Sequence, residues 1–302
     1  MPYVLLFLIA LGYAPFLYLH FELMWSQPQY QYFPFVIGAL AWLAYSRTSP
    51  NPQPPAPSSK LTLLGIGVSW LVLAAATFMF SPWLAMLSLI LLFGVGIWHV
   101  SRTHTITNPW GLWLISFLLL PLPLGLDRKL VQALQGMSSR VSSYMLDALG
   151  VMHSMEGNVL RSVNKEFFVD EACSGIISVM SIIACALIYS VWKNRPLVHL
   201  LLSVVIATLW AMALNIARIT LIAVFYIQWG IDLSAGWQHE TLGLVLFLAA
   251  FCGVVGTDFL LAECLAPIDW RTLSESPTRL VRWFNWLVGA GRELRGASQD
   301  GE

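Results

Sequence analysis

Charge is what this sequence has least of. Asp, Glu, Lys and Arg make up 11% of its 302 residues, where a soluble domain carries about 25%. Set against 58% hydrophobic residues, that deficit excludes a water-soluble globular chain and leaves an integral membrane protein, with the lipid bilayer as its first partner. No strongly basic stretch is present, and sixteen Lys and Arg balance sixteen Asp and Glu, so nucleic acid is not an expected partner. The four cysteines show no CxxC spacing; neither a zinc site nor a disulfide framework follows from them, and no metal or cofactor is expected. Three of them, Cys185, Cys252 and Cys264, fall within or at the end of apolar runs and read as small buried hydrophobes. The opening residues lack the basic start and small-residue cleavage site of a signal peptide. No internal repeat appears at any fixed period.

What the sequence has instead is apolar runs: 3–19, 33–45, 61–80, 83–100, 110–124, 176–192, 197–229 and 242–261. About 20 apolar residues cross a hydrocarbon core, so the second and fifth runs are short for a span. Between the fifth and sixth, residues 127–171 are polar, and residues 130–151 repeat apolar positions every three or four, the pattern of an amphipathic helix. Glu156-Gly157-Asn158 reads as a turn and 159–169 as a short extended piece. The predicted fold class is an all-α polytopic membrane protein. It is a bundle of about eight transmembrane helices, with an amphipathic extracytoplasmic segment between spans five and six. Residues 1–265 form the membrane domain and 266–302 an Arg-containing tail.

Orientation follows from the short loops. Arg47 with Lys60, Arg102, Lys193 with Arg195, and the tail arginines fall on one side, which the positive-inside rule makes cytoplasmic. The loops 20–32 and 230–240 lack Lys and Arg and fall on the other. The 127–171 segment carries five basic and six acidic residues. Both termini are expected in the cytoplasm, and the protein in the cytoplasmic membrane.

Three reactive residues converge in this layout. Cys173 follows Asp170-Glu171 at the outer start of the sixth run, and His239 stands at the outer end of the eighth. Arg218 lies 22 residues beyond Pro196, about 33 Å along a helix against a core of about 30 Å. Asn215 precedes it on the same helix face. A thiolate is favoured at a helix start and near cationic groups. It could attack a carbonyl and form a thioester, with Arg218 stabilising the oxyanion and His239 moving protons. Glu171 either orients Arg218 or His239 or is a solvated residue at a helix start. His20, His99, His104, His153 and His199 have no such company and read as structural or interfacial.

The motifs Glu171-Ala-Cys173-Ser174-Gly175, Asn215-Ile-Ala-Arg218 and His239-Glu240 before a final span resemble the signatures of the exosortase/archaeosortase family, as does the LGV…EGN region before the cysteine. The resemblance implies a membrane-embedded cysteine protease or transpeptidase with its active site at the extracytoplasmic face. It implies exported protein substrates bearing PEP-CTERM-type sorting signals: a short proline-containing motif, one transmembrane helix and a basic end. By the same resemblance Cys173 is the nucleophile, Arg218 the oxyanion-binding group and His239 the acid/base. Glu171, Ser174, Gly175, Asn215 and Glu240 are candidate supporting or substrate-binding residues. Two other classes stay open: a transporter binding an anion at Arg218 and Asn215, against which the lack of a duplicated half argues, and a non-catalytic assembly factor for surface-polymer export.

Overall fold

Proline and glycine set the ends of the apolar helices. In the computed structural model the described residues are 2–50, 60–101, 104–106, 108–157, 159–162, 165–168, 175–265 and 279–288. They divide into two compact units, Met1–Met137 with Ser174–Ala184 and Ser138–Cys173 with Cys185–Glu302.

In the first unit, α1 (Pro2–Ser26) runs past the expected end of the first apolar run, because nothing from His20 to Ser26 breaks a helix before Pro28 does. Helix α2 (Phe33–Arg47) follows. Helices α3 (Lys60–Phe78) and α4 (Pro82–Val100) flank the Ser81-Pro82 turn, and Ser81 caps α4 by accepting from the Leu84 amide. Tyr13 and Ser88 share a hydrogen bond of 2.6 Å, and Ser88 donates to the Ser69 carbonyl at 2.7 Å, tying α1, α3 and α4 together. Two strands, β1 (Thr48–Pro50) and β2 (His104–Ile106), pair antiparallel. The two basic loops expected on one side of the membrane therefore meet.

The fifth apolar run does not form one helix. Helix α5 (Pro109–Ser116) tightens into a 3-10 turn over Phe117–Leu119 and stops. The reason is Pro121 and Pro123, which have no N–H to offer the carbonyls four residues earlier. Side chains take their place. His20 donates to the Leu119 carbonyl at 2.9 Å, Tyr32 to that of Leu118 at 3.1 Å, and Trp83 to that of Pro121 at 2.7 Å. His20, fully buried, is structural as expected, and its function is to cap a broken helix.

Among the described residues four helices are long and apolar enough to cross a membrane: α3, α4, and in the second unit α8 (Leu197–Trp229) and α9 (Gly236–Cys264). The stretches 109–119 and 179–192 are shorter apolar helices, the latter being most of α7 (Gly175–Trp192). The chain is thus a helical multi-pass membrane protein, with four of the eight expected spans supported by length and composition. Cys185 is half-buried on α7, while Cys252 and Cys264 are exposed on α9. The reading as buried hydrophobes is corrected for Cys252 and Cys264, which are exposed, while Cys185 is partly covered.

Helices α8 and α9 form an antiparallel hairpin. Pro196 starts α8 and Gly230, with φ +70°, ends it; a left-handed residue there lets the Gly230 and Ile231 amides reach back to Tyr226 and Phe225. Small residues allow close approach: a Cβ on Gly253 would sit 2.5 Å from the Trp210 ring, and Ala207, Ala211 and Ala250 are buried. At one end of the pair, Asp258 is buried and accepts from Arg195 Nε at 3.3 Å, from Arg195 Nη2 at 2.6 Å and from His199 Nε2. His199, read from the sequence as structural or interfacial, is a buried partner of this carboxylate. An acidic residue buried in an apolar helix needs such partners, since an unpaired charge there is very costly.

Around the other end of α8 the polar segment packs. Helix α6 (Leu126–Ala148) forms as its periodicity predicts. From the second unit's side it buries Ser138, Ser139, Ser142 and Leu146, with Ser142 Oγ donating to the Ile216 carbonyl at 3.3 Å. The expected extended piece is a hairpin of two strands, β4 (Val159–Ser162) and β5 (Lys165–Phe168), joined by β3 (Ser154–Glu156) into an antiparallel sheet with β4 in the middle. Gly157 makes the β3–β4 turn. Leu146, Val151 and Leu160 form one apolar cluster with Ile219, Ile222 and Ala223 of α8. The tail, expected at 266–302, contains a short helix, α10 (Arg279–Leu287).

Candidate active site

Arg218 sits on α8 immediately before the cluster residue Ile219 and is only 8% exposed. A guanidinium stays charged under all ordinary conditions, so burial demands compensation. Among the described residues no carboxylate pairs with it. Its partner is His239 in the first turn of α9: Arg218 Nη2 donates to His239 Nε2 at 2.7 Å. The apolar run begins at Leu242, but the helix begins at Gly236, so His239 is a helical residue, fixed more firmly than one in a loop.

This hydrogen bond assigns the imidazole's protonation. Arg has donors only, so Nε2 must present its lone pair and the ring is neutral. The proton then lies on Nδ1, which donates to the Leu233 carbonyl at 3.2 Å. That carbonyl is held in the 230–235 loop, where Asp232 Oδ1 accepts from the Ser234 amide at 2.9 Å. Leu233 and Leu242 also pack on the apolar cluster. Arg218 Nε is buried and has no hydrogen-bond partner among the described residues. Among the described residues the arrangement therefore offers a buried cation with no carboxylate partner, an uncommitted N–H donor and a histidine nitrogen whose lone pair the guanidinium occupies.

Of the other sequence candidates, Asn215 is half-buried three residues before Arg218, with no hydrogen bond to Arg218 or His239 among the described residues, and Glu240 is exposed. Gly175 is the first residue of α7. Cys173, Glu171 and Ser174 lie outside the described residues. Among the described residues no cluster of His, Cys, Asp and Glu could hold a metal ion.

Gly243 is the site residue that sequence reasoning missed. It lies one turn beyond His239 on the same face of α9, and a Cβ there would meet Arg218 Nη2 at 3.1 Å.

A family model described as transmembrane exosortase matches residues 24–256, which include Arg218, His239 and Cys173. The chain belongs to the transmembrane exosortase family. No curated protein and no solved structure matches it. Membership extends the fold class beyond composition: the match runs from the end of α1 through most of α9 and covers both units. Exported proteins are the substrates, and the membrane the setting, that exosortase membership implies.

Proposed function

We propose that this exosortase is a cysteine transpeptidase that cleaves C-terminal sorting signals of the PEP-CTERM type, using Cys173, Arg218 and His239. The observation that carries the reading is the part-buried Arg218–His239 pair, in which, among the described residues, the cation has no carboxylate partner and lies beside a neutral imidazole. In the resting arrangement the guanidinium occupies the Nε2 lone pair. A substrate carbonyl arriving beside Arg218 competes for the guanidinium, and Nε2 is released to take the Cys173 thiol proton. The thiolate then adds to the carbonyl carbon, and the negative charge that develops on oxygen is met by Arg218. Collapse breaks the scissile C–N bond. The departing amine takes the proton from the His239 imidazolium, leaving a thioester on Cys173. In the second half an acceptor nucleophile or water gives its proton to His239 and adds to the thioester carbonyl; collapse breaks the C–S bond, and the Cys173 sulfur takes that proton back from His239.

The test is direct. Purified protein incubated with a substrate carrying motif, helix and basic end should form a hydroxylamine-sensitive adduct that mass spectrometry places on Cys173. An intact substrate, or processing with no adduct in rapid-quench samples, overturns the thioester reading.

The domain assignment, with 1–265 as the catalytic membrane domain and 266–302 as a cytoplasmic tail, belongs to the same proposal. So does the orientation, which the basic loops and the pairing of β1 with β2 support. In a background without the native cysteines, Met152→Cys, at a position 82% exposed, should react with an impermeant maleimide from the extracytoplasmic side. Lys60→Cys should react from the cytoplasmic side alone. The reverse pattern would put the Arg218 end of α8 in the cytoplasm, where exported substrates do not present their cleavage site.

A further inference from the structure

Gly243 stands in the interior of α9, where glycine is a poor choice. It destabilises a helix interior relative to alanine. On the same helix a Cβ at Gly256 would meet nothing within 4 Å, whereas at Gly243 it would meet three atoms of one group: Arg218 Nη2 at 3.1 Å, Cζ at 3.4 Å and Nη1 at 3.7 Å. The Arg218 guanidinium thus lies against the backbone of α9 in the space a side chain would fill. His239, one turn earlier, accepts from the same Nη2.

We propose that Gly243 is a positioning residue: its missing side chain forms the seat that holds the Arg218 guanidinium against α9 and within hydrogen-bond reach of His239 Nε2. The inference rests on the catalytic reading of Arg218 for its consequence, but not for its geometry. A methyl group at 243 displaces Nη2 by a few tenths of an ångström, and a β-branched side chain displaces it further. Arg218 reaches this seat from α8, across the hairpin, so the guanidinium must shift while its backbone stays. The 2.7 Å hydrogen bond lengthens, and the donor no longer meets the position where the oxyanion forms.

The test compares Gly243→Ala, Gly243→Val and Gly256→Ala in the full-length protein, with three readouts. Alanine in a helix interior should hold or raise the thermal midpoint, so Gly243→Ala should be at least as stable as wild type while its kcat falls about tenfold or more, with little change in KM. Gly256→Ala should keep full activity. The deciding readout does not need activity: nitrogen NMR of labelled histidine should show His239 as the Nδ1–H tautomer in wild type, and a partial shift toward the Nε2–H form in Gly243→Ala as the hydrogen bond lengthens. Gly243→Val should shift it further. An unchanged tautomer in both Gly243 variants overturns the proposal, whatever their activity. A changed tautomer in a protein that forms no Cys173 adduct sustains the seat while removing the catalytic reading above.

Discussion

Cys173→Ala is expected to process no substrate at all and still to accumulate in the membrane. The change removes one sulfur and leaves the described helices and their pairing untouched, so loss of processing cannot be assigned to loss of fold. Arg218→Lys sharpens the same result. Lysine keeps the positive charge but replaces a planar fork of donors with a single ammonium, and it cannot span from the seat at Gly243 to both His239 and a carbonyl oxygen. Removing one oxyanion donor costs about 10²–10³ in rate, and a fall of that order in kcat is expected. An arginine that only reached for lipid headgroups would accept lysine with little effect. Cys185→Ala, on a half-buried face of α7, should remain active. Normal processing by Cys173→Ala would end the transpeptidase reading and return the chain to a transport or assembly role.

Asp258→Ala is expected to be the most damaging change to stability outside the active site. Asp258 is 3% exposed and is the common acceptor for Arg195 and His199. Removing one partner of a fully buried ion pair costs about 3–5 kcal/mol; because the Arg195 side chain is 22% exposed, a loss below that range is expected. The loss should appear as a lower thermal midpoint in detergent and a smaller folded yield. Asp258→Asn, which keeps an acceptor oxygen, should fall between. A midpoint for Asp258→Ala within a degree of wild type would show that Arg195 reaches water in its place.

The sequence made α8 legible from end to end, since an apolar run bounded by Pro196 and by Gly230 has only one way to begin and end. It also brought Arg218 and His239 to one layer, because helix rise converts residue number into depth. It could not show that the two touch, which depends on rotation about α8 and α9. The stretch 159–169 looked like one extended piece because alternation marks strands but not the reversal between Ser162 and Lys165. The 110–124 run looked like a span because hydropathy is blind to the carbonyls that Pro121 and Pro123 leave unpaired. Asp258 is visible as a carboxylate in an apolar run, a position that requires partners. Arg195 and His199 carried no mark of that role, because a long-range ion pair leaves no local pattern. Gly243 is hardest to see: a glycine in a membrane helix is common, and only the cross-helix approach of Arg218 gives it meaning.

The two polar ties between α8 and α9 share one spacing. Nineteen positions separate His199 from Arg218, and nineteen separate His239 from Asp258. Each helix therefore serves as a ruler for the other, and the chain length between the ties is constrained by the geometry. One residue inserted between His199 and Arg218 would carry Arg218 about 1.5 Å along and 100° around relative to Asp258's anchor, away from His239. The same insertion between His239 and Asp258 would do the converse. Among relatives that keep both ties, insertions and deletions in these two stretches should arrive as matched pairs, even where the side chains between them change freely.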